Sequence, residues 1–388
     1  MTAIHLPTTA GLGEIYSLRN PACAPTFKGQ TLNRIAYSAA HVVASPFLEN
    51  DPWLTPAIDW DSTMAYRQYL WDLGLGVAEA MDTAQRGMGL GWSEAKILID
   101  RTLALAKHHP NGSVVCGIAT DQLPEKKTYS LAEITDAYVE QCAFVEERGG
   151  QAVMMASRAL AATAKSPDDY VRVYDIVLKQ AHRPVVLHWL GEMFDEKLRG
   201  YWGSTDFESC LKAVMGIISA HTSKVEGIKL SLLDKDKELV LRRQLPPSVK
   251  MFTGDDFNYA ELIEGDDAGF SHALLGIFDA IAPAASNALV ALAQRDAHRF
   301  REILDPTVPL SRHIFKAPTQ FYKTGVVFLA YLNGHQRHFQ MVGGLQSARS
   351  VAHLVELFRL ADQAGVFRDT DLACQRMRTF LQSVGFDK

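Results

Sequence analysis

The residue whose type and surroundings most demand a chemical explanation is Lys229. It stands in Val225-Glu226-Gly227-Ile228-Lys229-Leu230-Ser231, which reads as a short buried strand. An ammonium is among the costliest groups to bury, so a lysine in such a strand is either only nominally inside or kept there for chemistry. Side-chain alternation puts Val225, Gly227 and Lys229 on one face and Glu226, Ile228 and Leu230 on the other. A neutral amine, its pKa depressed by desolvation or by neighbouring cations, attacks a carbonyl carbon. The resulting iminium is an electron sink that permits carbon-carbon cleavage, condensation or dehydration at the next carbon. The bland alternative is that Lys229 snorkels from a strand end or pairs with Asp255.

Other groups with chemical potential stand at the ends of apolar runs. His188 follows Val185-Val186-Leu187, where a proton shuttle would face the same space as Lys229, and with Arg158 it could supply positive charge there. His41 and His272 close the first and last runs. Arg86 and Arg158, assisted by Thr83 and Gln85, could hold a carboxylate or phosphate, with Asp255, His272 and His41 completing the substrate contacts. A second chemistry is open: Asp82, Asp121, Asp255, His188 and His272 could bind a divalent metal, with Lys229 as electrostatic partner. No recognised metal spacing supports it, so it ranks below the imine, for which no cofactor is needed. Each aspartate taken singly is better explained as a helix or turn cap. The glycines of Arg86-Gly87-Met88-Gly89-Leu90-Gly91 lack a nucleotide-binding context and read as a loop.

These residues must be positioned by eight short apolar strands, expected at 34–43, 75–81, 113–119, 152–156, 184–189, 225–231, 249–253 and 267–271. Helical pattern fills most intervals. Ser130 with Glu133 forms a capping box, Asp61 can cap a helix ending before Gly74, and 93–107 carries an apolar stripe from Ala95 to Ala106. Regular strand-helix alternation in eight units predicts an α/β fold, a TIM (β/α)8 barrel with a C-terminal helical extension. The expected organisation is an N-terminal lead-in over 1–32, the barrel over 33–309 and a helical subdomain over 310–388. Lys229 would then lie near a strand's carboxyl end, where barrel enzymes keep their reacting groups.

The run Val225-Glu226-Gly227-Ile228-Lys229 resembles the Schiff-base strand of the dihydrodipicolinate synthase and N-acetylneuraminate lyase superfamily of class I aldolase barrels. Phe252-Thr253-Gly254-Asp255-Asp256, Asp267-Ala268-Gly269-Phe270-Ser271 and Ser45-Pro46-Phe47 are similar to further family segments in the same order, so the likeness covers roughly residues 33 to 365. It implies a Schiff base on Lys229. Two departures stand beside it. Where the family has a Gly-Thr-Thr turn that holds the substrate carboxylate, this chain has Asp82-Thr83-Ala84-Gln85-Arg86; where the family has a proton-relaying tyrosine, it reads Ser157-Arg158-Ala159-Leu160. The resemblance therefore implies a divergent branch whose substrate differs from pyruvate.

Composition limits the partners. Of 388 residues, 47% are hydrophobic and 21% charged, and the formal net charge is −5, so neither nucleic acid nor an anionic membrane surface is expected to bind. The five cysteines show no metal or redox spacing and read as reduced thiols of a cytoplasmic protein. No secretory leader or spanning apolar run is visible. The expected function is a Schiff-base-forming lyase or aldolase acting on a small keto acid or sugar-derived carbonyl compound, as a homo-oligomer. The alternatives are a metal-dependent lyase, isomerase or epimerase, and a barrel that binds a metabolite without turning it over.

Overall fold

Ten strands and the helices between them are described in a computed structural model covering residues 2–387 apart from 9–12, 19–21, 23 and 126–127. Strands β1 (Ala3–Pro7) and β2 (Gly13–Ser17) form an antiparallel hairpin, Ile4 and Leu6 buried beneath the C-terminal helices and Tyr16 bonded to Asp362 at 2.8 Å. The eight remaining strands are β3 (Ala36–Ala39), β4 (Gly76–Glu79), β5 (Val114–Ile118), β6 (Gln151–Met154), β7 (Val185–Leu190), β8 (Val225–Ser231), β9 (Lys250–Thr253) and β10 (His272–Leu275). They pair in parallel and in chain order, and β10 closes onto β3. The expected α/β barrel is therefore what the chain forms.

Alternation sorts the strand residues into two cores. Tyr37, Ala39, Ala78, Val115, Val153, Val186, Phe252 and Leu274 fill the barrel interior, while Val77, Cys116, Leu187, Ile228 and Leu275 face the surrounding helices. One expectation shifts. A bulge between Val185 and Val186 advances the β7–β8 register, and Val225 joins the outer core rather than sharing a face with Gly227 and Lys229. The last strand also moves. Residues 267–271 are not a strand, because Asp266 accepts from the Ala268 amide at 2.9 Å and Gly269 folds back on Asp266 at 3.0 Å, forming a turn that withdraws the segment from the ladder. Strand β10 begins at His272, where the expected strand ended.

The helices follow their local signals. Ser130 and Glu133 make the reciprocal capping box, and the helix Trp92–Ala106 buries Ala95, Leu98, Ile99, Thr102, Leu103 and Ala106. The helix Trp60–Asp72 is capped by Asp59, not Asp61, since only the Asp59 carboxylate reaches the Ser62 amide, at 3.0 Å. After β10 the chain is helical. The helix Tyr322–Leu332 has all 11 of its residues buried and packs against Ile277–Ala280, the short helix that follows β10. A central C-terminal helix thus presents its first turn to the carboxyl end of the barrel. Among the described residues no helix is long and apolar enough to cross a membrane. Four cysteines, at 116, 142, 210 and 374, are buried free thiols; Cys23 lies outside the described residues.

Candidate active site

Strand β8 carries Lys229 inward and near its carboxyl end. The residue is 7% exposed, and its amine faces a cavity of about 10 Å³ walled by Asp82, Thr83, Leu190, Ser231, Asp256 and Tyr322. Burial pushes the Lys229 pKa down, and the neighbouring carboxylates of Asp82 and then Asp256 pull part of that shift back. No cation is needed to depress it. Asp256 accepts from the Ile277 amide at 2.8 Å, and burial pushes its carboxyl up to about 7. Two glycines make room for these groups: a Cβ on Gly254 would stand 2.7 Å from Lys229 Cε, and one on Gly276 would stand 3.1 Å from the Tyr322 ring.

The hydroxyl facing this cavity comes from far along the chain. Tyr322 Oη lies 2.9 Å from Thr83 Oγ1, and its ring stacks on Phe315 with centroids 4.3 Å apart. Burial, then the Asp82 carboxylate, holds the phenol well above its usual range, so it stays protonated and able to donate. Lys323, the next residue, is also buried, and burial pushes its amine down to about 8. A second, wider space adjoins the first. It is a groove of about 530 Å³ above β5, β6 and β7 that shares Asp82 and Leu190 with the Lys229 cavity.

A family model described as "Protein of unknown function (DUF993)" matches residues 4–386. The chain belongs to this family. No curated protein matches the sequence. Similar solved structures are dihydrodipicolinate synthase from Aquifex aeolicus, with TM-score 0.64, 12% identity, 86% of this chain and 99% of that chain covered; the synthase from Oceanobacillus iheyensis, with TM-score 0.60, 17% identity, and 84% and 95% covered; and YagE, a prophage protein of the dihydrodipicolinic acid synthase family from E. coli K12 in complex with pyruvate, with TM-score 0.64, 13% identity, and 92% and 100% covered. The fold of this DUF993 member is thus that of the dihydrodipicolinate synthases, at 12 to 17% sequence identity to the three structures named.

Of the residues singled out in the sequence, Lys229 and Thr83 wall the cavity together, with Asp82 between cavity and groove. His188 is fully buried one strand away from Lys229 and reaches the cavity only through Ser231, with Nε2 3.1 Å from its Oγ. Burial, then Lys229, holds the imidazole well below its usual range, so it supplies no positive charge and positions Ser231. Arg86 is already engaged, donating to Gly117 O at 2.6 Å and to Asp121 and Gln141 at 2.6 Å each, and has no donor to spare for a substrate carboxylate. Gln85, at φ 65°, turns away to donate to Val342 O at 2.6 Å. Arg158 lies on the groove's rim, bonded to Asp195 and Glu125 at 2.5 and 2.7 Å.

The remaining candidates leave the site. Asp255 caps the turn after β9, accepting from the amides of Phe257 and Asn258 at 2.8 and 3.0 Å, and does not line the Lys229 cavity. His41, just past β3, does not line the Lys229 cavity; it is buried with its ring against Tyr66 and its Nδ1 2.8 Å from Asp279. His272 opens β10 at the barrel's amino-terminal end, where its Nδ1 accepts from the Ile35 amide at 3.0 Å. The set Asp82, Asp121, Asp255, His188 and His272 is therefore not gathered around one point, and among the described residues no three histidine, cysteine or carboxylate groups are placed to hold a metal ion. What the sequence reading missed is Tyr322 and the placement of Asp256 in the Lys229 cavity. The available signal for Tyr322 was two polar heads, Tyr322-Lys323, at the start of an otherwise apolar helix.

Proposed function

We propose that this protein is a Schiff-base-forming lyase or aldolase acting on a small keto acid or related carbonyl compound, with Lys229 as the nucleophile. The observation that carries it is the Lys229 amine, desolvated inside the barrel and facing a cavity it shares with the protonated Tyr322–Thr83 hydroxyl pair and with Asp256. Neutral Lys229 adds to the carbonyl carbon, and its proton passes to Asp256, whose pKa near 7 suits it to accept and return protons at neutral pH. Asp256 returns that proton to the alkoxide oxygen, giving the carbinolamine. Tyr322 passes a second proton to the same oxygen and is reprotonated from solvent, so the oxygen leaves as water while the C=N bond of the iminium forms. The iminium then takes the electron pair of the bond broken at the adjacent carbon.

The dihydrodipicolinate synthase fold and the pyruvate held by YagE, one of its structural relatives, support a keto acid as the electrophile. The homo-oligomer expected from the sequence would cover Phe47, Trp53 and Leu54, which are 95%, 81% and 81% exposed in one loop at the same end of the barrel.

Incubation with a pool of keto acids, borohydride reduction and intact-mass measurement tests the mechanism. The expected result is a single reduced adduct in the wild type and none in Lys229→Ala. An adduct that persists in Lys229→Ala, or saturable binding of a keto acid with no adduct in the wild type, would replace the covalent mechanism by another nucleophile or by a barrel that only binds.

A further inference from the structure

We infer that the substituent the substrate carries beyond its 2-oxo acid group is uncharged and largely apolar and is seated in the groove above β5, β6 and β7; this rests on the Lys229 imine proposed above. The cavity at Lys229, about 10 Å³, takes little more than the reacting carbonyl, so a substituent beyond the 2-oxo acid group must lie in the adjoining space of about 530 Å³. Asp82 and Leu190 border both, which makes the groove the continuation of the site rather than a separate one. For scale, an apolar cavity of about 150 Å³ holds a benzene ring.

Two features of the lining select the chemistry. The floor is built from Ala119, Met155 and Leu190 at the tops of β5, β6 and β7, with Leu90 and Leu123 from the flanking loops. Such a surface rewards removal of apolar area from water. Most hydroxyls in the lining are already engaged, Thr120 with Ser157 at 2.6 Å, Tyr129 donating to Pro124 O at 2.9 Å and Thr163 to Tyr129 O at 3.3 Å, which leaves a polyhydroxylated chain few free donors. The charges around it are already matched to one another. Arg86 pairs with Asp121, Arg158 with Asp195 and Glu125, and Lys197 with Glu125, at 2.5 to 2.7 Å. An anionic tail would have to break one of these pairs; a neutral tail displaces only water. The groove thus turns the choice left open by the sequence, keto acid or sugar derivative, toward a keto acid bearing an aryl or branched alkyl substituent.

The test is the rate of borohydride-trapped labelling of Lys229 by three acids: pyruvate, 4-phenyl-2-oxobutyrate and 2-oxoglutarate. The phenyl acid is expected to label at least about tenfold faster than pyruvate at equal subsaturating concentration, the discrimination that one or two buried apolar groups give, and 2-oxoglutarate to show no such gain. Ala159→Trp and Ala162→Trp, each filling the groove from the helix Arg158–Thr163, are both expected to reduce the ratio of phenyl acid to pyruvate. Equal labelling by all three acids, preference for the dicarboxylate, or a ratio unchanged in both variants overturns the inference while leaving the imine standing. No labelling by any acid removes the imine and the inference together.

Discussion

Gly254→Ala tests whether the position of the Lys229 amine is what the barrel is built to provide. Gly254 follows β9, and its amide donates to Leu230 O at 2.9 Å, which pins the end of β9 to β8. A methyl at 254 would stand 2.7 Å from Lys229 Cε and 2.8 Å from Leu230 O, and would overlap Ser231 Oγ. Carbon-carbon contacts are favourable near 3.5–4.0 Å, so the Lys229 stem would have to retreat by about 1 Å. The backbone oxygen cannot swing aside, and Ser231 is tied to His188.

Two costs follow. Overpacking of this kind destabilises by about 1–3 kcal/mol, and misplacing a reacting group by about 1 Å costs about 10²-fold in rate. The assay is the time course of reduced-adduct formation by intact mass, with a thermal melt beside it. Gly276→Ala crowds the same cavity from elsewhere, the three atoms nearest its methyl being side-chain atoms of Phe315, Tyr322 and Thr83 at 3.0 to 3.3 Å, so it shows what crowding does without a direct push on the lysine. Adduct formation at the wild-type rate in a folded Gly254→Ala protein would refute the placement of Lys229 against this glycine, and with it the account of how the cavity is formed.

Two further outcomes follow from the same geometry. Tyr322→Phe keeps the ring on Phe315 and removes the hydroxyl 2.9 Å from Thr83; turnover should fall by about 10²–10⁴-fold, the usual contribution of a positioned acid, with a stability loss of only about 1 kcal/mol, and unchanged turnover would remove Tyr322 from the mechanism. Asp256→Asn removes a carboxylate that favours the ammonium form of Lys229, so the Lys229 pKa should fall further and the acid limb of the imine-formation rate should move to lower pH; a shift to higher pH would mean that Asp256 does not act on Lys229 through its charge.

What could be read from the sequence was whatever depends on neighbours close along the chain. Strand β8 spans the expected residues, the Ser130–Glu133 box caps its helix, and the 92–106 stripe is the one that is buried, because alternation, caps and helical periodicity act over a few residues. Local rules misplaced the eighth strand, where Asp266 and Gly269 close a turn that an apolar tally cannot detect. The site divides along the same line. An inward lysine in an apolar strand is a local anomaly and was legible. Arg86 looked available in the sequence and is consumed by Asp121 and Gln141, 35 and 55 residues away. Tyr322 looked like part of a remote helix and stands 2.9 Å from Thr83, 239 residues earlier. Which charges are already paired, and which hydroxyl shares the lysine's cavity, depend on where barrel closure and the docking of the C-terminal helix bring distant segments together. That packing was decided by the tertiary structure, since no residue type or spacing encodes who its partner across space will be.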